Sequence, residues 1–244
     1  ININNISKMN VEIPLECFTL ITGVSGSGKS SLIREALKPA LEQRFNGYTS
    51  TKRNYKESHI NTNKYTKIEF VDQNPIGKSS RSNPITYIKA YDEIRSLFSN
   101  QKLSKSRDYK SGFFSFNVDG GRCDNCKGEG ETTVEMQFMA DVHLLCDECK
   151  GNRFKDEILE VKFSDKNISD ILDLTVDEAL TFFTKNQEER ITKKIQPLQD
   201  VGLGYVKLGQ SSSTLSGGEA QRIKLASFLG KGDNSEKIIF IFDE

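Results

Sequence analysis

The sequence has no excess of charge of either sign, no long apolar run and no recognisable signal peptide. Lys and Arg together number 34 among the 244 residues, and Asp and Glu also number 34. Any affinity for nucleic acid must therefore come from local patches and not from an overall basic field. No apolar run approaches the roughly 20 residues that are needed to cross a bilayer. We therefore expect a cytoplasmic protein that has no membrane partner.

The length of the chain fits one or two domains with a sizeable core. The chain begins with Ile1 and stops at Glu244, inside an acidic motif, so we expect it to be an excised piece of something longer. We expect such a piece to hydrolyse a nucleotide poorly by itself, whatever the longer protein does.

The most informative segment is TGVSGSGKSSL at residues 22–32, hereafter the phosphate loop. It fits the nucleotide-binding pattern of a glycine, four residues and then Gly-Lys-Ser. Glycines let the backbone curl so that its amides point at phosphates, Lys29 supplies charge for the β- and γ-phosphates, and Ser30 offers Mg²⁺ a hydroxyl ligand. A flexible Gly/Ser linker is the competing interpretation. The predicted nucleotide-binding residues in this segment are Gly23, Ser25, Gly26, Gly28, Lys29, Ser30 and Ser31.

The flanks of the phosphate loop predict a strand, a loop and a helix in that order. Residues 18–22 are typical of a short buried strand, and we expect Cys17 beside them to be a small core residue. Downstream, one apolar helical face is predicted before Pro39, made of Leu32, Ile33, Ala36 and Leu37.

Residues 67–73 alternate like a second strand that ends at Gln73. The side-chain carbonyl oxygen of a glutamine at such a strand end can reach Mg²⁺ or the γ-phosphate. By itself this is a weak signal. Further along the chain, residues 158–162 also favour a strand, and Thr175 with Glu178 predicts a capping box at the start of a helix.

Four of the five cysteines form two CxxC pairs that are separated by 19 residues: Cys123, Cys126, Cys146 and Cys149. Two thiolates at this spacing grip one edge of a metal ion, and a hairpin brings the second pair round to complete a tetrahedron. The alternating residues 132–139 suit an arm of that hairpin. We therefore predict a structural Zn²⁺ site, with His143 in an ordinary polar role because four cysteines already complete the ligand set.

Glycines and cationic side chains surround the two cysteine pairs, so nucleic-acid contact is one interpretation of this module. The other is a peptide-binding zinc module, because CDNCKGEG at residues 123–130 is similar to the CxxCxGxG repeat of DnaJ-type chaperones. Only the first pair follows that repeat fully, since the second reads CDECKGNR.

The last third of the chain contains LSGGEAQR at residues 215–222 and an apolar strand that ends in two carboxylates. Ser216, Gly217 and Gly218 open a helix whose N-terminal amides offer a second anion site. Asp243 suits a direct or water-mediated Mg²⁺ ligand, and Glu244 suits the base that deprotonates an attacking water. The catalytic residues predicted from all of these motifs are Glu244, Lys29 and Gln73.

Together these motifs resemble the ABC-type ATPases, and more closely the C-terminal nucleotide-binding half of the UvrA family of bacterial excinuclease components. The resemblance rests on six segments in the family's order. They are GVSGSGKSSL, VDQNPIGKSSRSNP, FSFNVDGGRCDNCKGEG, CDECKGNRF, VGLGYVKLGQSSSTLSGGEAQRIKLA and IFDE.

The resemblance implies an α/β fold, namely an incomplete P-loop ABC-type ATPase core with an inserted, mainly helical region that carries a four-cysteine zinc hairpin. The first part of the core is expected at residues 1–75. The insert is expected at residues 76–205, with its zinc module at 120–155, and residues 206–244 bring the signature helix and the acidic strand.

The resemblance also implies a function. The family is similar to other ABC ATPases in that the signature of one nucleotide-binding domain completes the ATP site of its partner domain, with Gln73 in the Q-loop. The resemblance thus implies ATP, Mg²⁺ and Zn²⁺ as cofactors. It also implies a homodimer of the full-length protein, damaged double-stranded DNA as ligand and UvrB as the protein that is loaded onto lesions during nucleotide excision repair.

Two alternatives stay open. A UvrA-like paralogue that gives resistance to DNA-binding drugs shares all of these motifs. A non-enzymatic, chaperone-like zinc binding module shares only the cysteines, and Lys29, the signature and Asp243 argue against it. We further expect that the nucleotide state is sensed at Gln73 and repositions the zinc hairpin on DNA.

Overall fold

The computed structural model describes residues 1, 3–47, 65–77, 79, 81–134, 136, 141–230 and 237–243. The chain forms two compact units, of which the first comprises residues 1–72 and 233–244 and the second comprises residues 73–232. The helix that follows the signature belongs to the second unit, whereas the predicted boundary at residue 205 assigns it to the core. The predicted domain architecture stays a prediction.

The first unit pairs two strands in parallel. Strand β1 (Lys67–Val71) lies beside β4 (Ile238–Phe242). Its helical part begins directly after the phosphate loop, with α1 (Lys29–Ser31), a π-helical turn (Leu32–Leu37) and α2 (Lys38–Asn46). The two strands are distant in sequence and run in the same direction. The chain that connects them must therefore cross from the end of β1 back to the level of the start of β4.

The predicted strand at residues 18–22 is wrong. No strand forms there in the described part of the first unit, and the side chains of Phe18 and Leu20 are 88% and 71% exposed. A strand needs a neighbour for its backbone groups, and the described sheet of this unit contains only β1 and β4. Cys17 is exposed for the same reason, contrary to the core role predicted for it.

The predicted helix is present but does not end before Pro39. The wide π turn ends at Leu37, and Pro39 is the second residue of α2, in the first turn, where its missing N–H costs least. Leu32 and Ala36 are buried from the predicted apolar face, in contact with Ile3.

The second unit is mainly helical. Its α-helices in chain order are α3 (Pro84–Tyr87), α4 (Tyr91–Ser99), α5 (Lys102–Ser106), α6 (Asp156–Leu159), α7 (Ile168–Asp173), α8 (Val176–Lys185), α9 (Glu189–Asp200) and α10 (Gly217–Leu229). Short 3-10 turns lie at Ser111–Phe114 and Ser212–Thr214. Strands β2 (Glu131–Val134) and β3 (Val142–Leu145) form an antiparallel hairpin.

Aromatic side chains fill the core of the second unit. Five phenylalanines are fully buried in it: Phe98, Phe114, Phe116, Phe154 and Phe183. The predicted capping box of Thr175 and Glu178 opens α8 as expected. The predicted strand at residues 158–162 is wrong, since these residues contain the end of α6. Ile158 is buried in the core from this single helical turn. No helix among the described residues is long and apolar enough to cross a membrane.

Candidate functional site

The four predicted metal ligands come together. The sulfur atoms of Cys123, Cys126, Cys146 and Cys149 all lie within 4.8 Å of one another, and all four residues are buried. The two distances across the pairs are 3.9 Å between Cys123 and Cys146 and 3.6 Å between Cys126 and Cys149. A tetrahedral Zn²⁺ with Zn–S bonds of about 2.3 Å requires sulfur atoms about 3.8 Å apart. The geometry therefore fits a metal ion of this kind.

Backbone turns position the thiols. Gly128 has a φ of 87°, and a Cβ there would lie 2.1 Å from the carbonyl oxygen of Phe116, so only glycine fits between the knuckle and the core. The amide of Gly130 donates to Cys126 Sγ at 3.2 Å, and Asn125 Nδ2 donates to Cys146 Sγ at 3.4 Å. Donors of this kind stabilise thiolate ligands and fix their orientation.

Two strandlike segments close the base of the metal site. The amide of Cys123 donates to the carbonyl oxygen of Arg153 at 2.9 Å, and the amide of Lys155 donates to Gly121 at 3.0 Å. Arg122 and Phe154 face each other in this short antiparallel bridge. The bridge holds the two CxxC segments side by side.

The thiols differ in their electrostatics. Hydrogen bonds from the backbone, first of all from Cys149, lower the pKa of the Cys146 thiol to about 7. Burial raises the pKa of Cys123 to about 12. Burial also raises the pKa of Cys149, against a hydrogen bond from the backbone of Arg153. The pKa of the Cys146 thiol is thus lower than the pKa values of the Cys123 and Cys149 thiols.

His143 takes no part in this cluster. Among the described residues the group that can hold a metal ion consists of the four cysteines. The Nδ1 atom of His143 instead lies 3.1 Å from the hydroxyl of Thr133, its cross-strand partner in the hairpin.

The hairpin of β2 and β3 is exposed on both faces. Thr132 pairs with Leu144 and Val134 with Val142, so these four side chains share one face. Val142 and Leu144 are exposed, as is Met136 beyond the end of β2. The predicted arm at residues 132–139 is thus confirmed up to Val134, and Phe138 near the tip lies outside the described residues.

The phosphate loop has the left-handed turns that its glycines predict, with φ of 79° at Gly26 and 98° at Gly28. The ammonium group of Lys29 donates to the carbonyl oxygens of Gly23 and Val24 at 2.8 and 2.9 Å. The side chain of Lys29 therefore folds over its own loop. Two asparagines brace this loop: Asn5 Nδ2 donates to Gly26 O at 2.8 Å, and Asn4 Nδ2 donates to Ser31 Oγ at 2.9 Å.

Asp243 is buried at the end of β4, where its amide donates to Val71 at 3.2 Å. Its carboxylate forms an ion pair with Arg34 Nε. Arg34 stands four residues after Ser30, so the acidic strand end meets the helix that carries the predicted Mg²⁺ ligand. Glu244, the predicted base, lies outside the described residues.

The signature opens α10 with a capping box. Ser216 Oγ accepts from the amide of Glu219, and the Glu219 carboxylate accepts from the amide of Ser216 at 2.8 Å. The hydroxyl of Tyr205 donates to the same carboxylate at 2.6 Å and is the first cause of the lowered pKa of Glu219. A Cβ at Gly218 would meet open space.

Gln73 lies against the start of the signature helix. A Cβ built at Gly217 would be 2.7 Å from Gln73 Oε1 and 3.0 Å from Gln73 Cβ. The neighbouring Asn74 carbonyl accepts a hydrogen bond from Lys224 in α10 at 2.7 Å. The second unit therefore joins the predicted phosphate sensor directly to the signature.

Sequence reasoning did not identify the partners of three side chains at these sites: Arg34, Arg153 and Tyr205. Only Arg34 carries a usable signal, since it follows Ser30 by one helical turn. Arg153 and Tyr205 act across long sequence separations on Gly209 and Glu219, and no spacing rule identifies such partners.

Comparison with known proteins identifies close relatives along the whole chain. No family model matches the chain. UvrABC system protein A from Clostridium tetani is 53% identical over 241 residues, which cover 99% of this chain and 25% of that protein. UvrABC system protein A from Helicobacter pylori is 48% identical over 244 residues, which cover 100% of this chain and 26% of that protein.

The fold is UvrA-like as well. The crystal structure of UvrA2 from Deinococcus radiodurans matches with a TM-score of 0.78 and 46% sequence identity, covering 86% of this chain and 25% of that chain. The chain spans about a quarter of the length of the relatives that it matches. Over nearly its whole length this quarter is similar to UvrA in sequence and in fold, and the resemblance to UvrA that the motifs predict is confirmed.

Proposed function

We propose that the chain is part of a cytoplasmic ABC-type ATPase of nucleotide excision repair, which binds ATP with Mg²⁺, holds Zn²⁺ and binds damaged duplex DNA. The observation that carries this proposal is the 53% identity with UvrABC system protein A from Clostridium tetani over 99% of the chain. The phosphate loop, the signature and the four clustered thiols support it, since each occurs with the residues that its chemistry needs.

In the proposed ATP site, amides of the phosphate loop and the ammonium group of Lys29 hold the phosphates. Lys29 must leave the carbonyl oxygens of Gly23 and Val24 to do so. The hydroxyl of Ser30 and the carboxylate of Asp243 would hold Mg²⁺, which spreads the charge that develops on the transferred phosphoryl group. The side-chain carbonyl oxygen of Gln73 would reach Mg²⁺ or the γ-phosphate, and Glu244 would orient the attacking water and take its proton.

The signature serves a second ATP molecule. Ser216, Gly217 and Gly218 offer amides at the start of a 13-residue helix, and the open space beside Gly218 leaves its backbone accessible. We propose that this surface completes the site of another nucleotide-binding domain within a homodimer of the full-length protein.

The metal site has a structural role in this proposal. Zn²⁺ with four cysteine ligands has no open coordination position, so it folds the module at residues 120–155 and fixes the base of the hairpin. The exposed apolar face of the hairpin then meets DNA whose base stacking a lesion has weakened, a form of recognition by deformability. The protein would load UvrB at that place.

The proposal is tested with the intact protein purified with zinc. We expect it to prefer a duplex with one bulky adduct over the same undamaged duplex, and to prefer both over an unfolded protein, across a titration of salt. Lys29→Ala should abolish ATP turnover while the zinc content stays at one ion per cysteine set. A preference for unfolded protein would instead support the chaperone-like alternative and overturn the repair function.

A second experiment separates repair from drug resistance. The intact gene is expressed in cells that lack their own UvrA and that are exposed either to ultraviolet light or to a DNA-binding drug. Restored survival of ultraviolet light is the expected result. Protection from the drug alone would assign the chain to the paralogue class.

A further inference from the structure

We propose that Arg153 is a positioning residue that ties the signature loop, residues 209–218, to the four-cysteine metal site. The state of the metal site then sets how firmly the signature loop is held. This inference rests on the proposed function, because it gives the metal site a role in the ATPase cycle in addition to its role at the hairpin.

Arg153 belongs to the metal site through its backbone. Its carbonyl oxygen accepts from the amide of Cys123 at 2.9 Å, and the amide of the preceding residue, Asn152, donates to the carbonyl oxygen of Cys149 at 2.8 Å. One residue of each CxxC pair is therefore joined by a backbone hydrogen bond to the segment made of Asn152 and Arg153. The φ of Arg153 is 69°, a left-handed conformation that an arginine rarely adopts without strong constraints around it.

Arg153 reaches the signature loop through its side chain. Its Nη2 atom donates to the carbonyl oxygen of Gly209 at 3.0 Å, across 56 residues of sequence. Its guanidinium lies 5.6 Å from the ring centroid of Phe116, a fully buried side chain. A planar guanidinium held over an aromatic ring has little freedom to move. A displacement of the metal site therefore also displaces Gly209, to which this guanidinium donates.

A second connection runs parallel to the first. Arg81 Nη1 donates to the carbonyl oxygen of Lys127, next to Cys126, at 3.2 Å. The carbonyl oxygen of the neighbouring Ser82 accepts from the amide of Ser212 at 2.7 Å. The segment that starts the signature loop is thus held at Gly209 by Arg153 and again at Ser212 by the residue that follows Arg81.

The far end of the signature loop reaches the predicted phosphate sensor. Only six residues separate Gly209 from Ser216, and Gly217 packs against Gln73. The amide of Gly209 donates to Leu172 at 2.8 Å, and a Cβ there would lie 2.9 Å from Leu172 Cβ, so the loop has no room to shift toward α7. A displacement at the metal site is therefore transmitted to Ser216, because the short loop between Gly209 and Ser216 cannot absorb it.

The test is amide hydrogen exchange on the intact protein without nucleotide, comparing the zinc-loaded form, the chelator-treated form and the zinc-loaded variant Arg153→Met. Both perturbations should speed exchange at Gly209, Ser212 and Glu219 about fivefold to tenfold, as expected when a held loop loses one hydrogen bond. Arg122→Met is the matched control, because Arg122 neighbours a ligand in the same bridge but donates to Asn117, away from the signature loop.

Zinc content is measured in every variant. If Arg153→Met loses its metal, Arg153→Lys keeps the cation while removing the planar fork and should give the same loss of protection. Unchanged exchange in the signature loop, together with faster exchange of the module's own amides at Cys123 and Lys150 after chelation, would overturn the proposal. Exchange requires no ATP, so a wild-type protein that fails to bind ATP would refute the proposed function and leave this result standing.

A second readout is ATP turnover. Arg153→Met should lower kcat about tenfold with KM for ATP within about twofold, because the nucleotide bound by the phosphate loop is untouched while the completing surface is loosened. A rise in KM at constant kcat would contradict a positioning role for Arg153.

Discussion

Gln73 and Gly217 lie in van der Waals contact, and the contact leaves no room for a side chain at the glycine. A Cβ at Gly217 would lie 2.7 Å from Gln73 Oε1. One residue is the predicted sensor of the γ-phosphate and the other belongs to the predicted signature. Their contact couples the two functions through the packing of a glutamine side chain against a glycine backbone.

Replacing Gly217 with Ala should therefore damage both stability and turnover. Overpacking of this size costs about 1–3 kcal/mol, which we expect to appear in the free energy of unfolding of the second unit by urea titration. Gly112→Ala is the matched control, since a Cβ at Gly112 meets no atom within 4 Å. The double variant with Gln73→Ala should regain part of the lost stability, and strict additivity of the two changes would argue against the contact.

Removal of one metal ligand should unfold the zinc module. Cys126→Ser is expected to abolish stoichiometric zinc binding and to unfold residues 120–155, because a structural zinc contributes on the order of 10 kcal/mol to folding. Metal content by mass spectrometry and thermal unfolding measure the two effects. Cys17→Ser is the control, since Cys17 is exposed and lies outside the metal cluster. Equal zinc content in the two variants would refute the four-cysteine ligand set.

The pH dependence of zinc affinity should show the lowered pKa of Cys146. Backbone hydrogen bonds, first of all from Cys149, lower that pKa to about 7, below the usual value of a thiol. Below pH 7 zinc must displace a proton from Cys146, whereas above it the thiolate is already formed. A plot of log affinity against pH should therefore lose one unit of slope near pH 7 as the pH rises. Competition with a chromophoric chelator between pH 6 and 9 measures this, and Asn125→Ala is a useful variant because Asn125 donates to Cys146.

Arg34 should compete with Mg²⁺ for Asp243. Arg34 forms an ion pair with this buried carboxylate. Arg34→Met removes the competing cation, so half-maximal ATP binding should need severalfold less Mg²⁺, a shift of about 1 kcal/mol. Lys38→Met is the control, because Lys38 lies on the same helical segment but pairs with Glu42. An identical Mg²⁺ requirement in the two variants would count against the competition.

Two adjacent leucines of the hairpin allow a test of which face meets DNA. Leu144 shares its face with Val134 and Val142, whereas Leu145 points to the opposite face beside Glu131. Leu144→Ser should reduce the preference for adduct-bearing over intact duplex about tenfold, and Leu145→Ser should reduce it less. Both are exposed, so neither change should lower the thermal stability by more than a degree or two.

The predictable features are those that are formed by residues close to one another in the sequence. Two CxxC pairs at hairpin distance specify a metal cluster because four buried thiols have few other ways to be satisfied. The predicted capping box at Thr175 is equally local, since it is closed by the carboxylate of Glu178 three residues later. The phosphate-loop glycines likewise adopt the turns that their type favours.

The parts that were not predictable depend on distant partners. Residues 18–22 have the composition of a strand, but composition cannot tell whether a neighbouring strand is available to accept the backbone hydrogen bonds. Residues 158–162 have the pattern of a strand, but Ile158 is buried in the core from the end of α6, and the sequence does not reveal the packing partners of that turn. The side chain of Arg153 is the extreme case, because its partner Gly209 is 56 residues away.

The left-handed backbone conformation of Arg153 implies a conflict between the stability of the protein and its function. Glycine, or to a lesser extent asparagine, would relieve about 1–2 kcal/mol of conformational strain at this position. Glycine would also lose the hydrogen bond to Gly209 and the contact with Phe116, each worth about 1 kcal/mol, so the two effects nearly cancel in stability. A laboratory selection for heat resistance alone should therefore tolerate glycine at residue 153, whereas a selection that also demands repair should keep arginine.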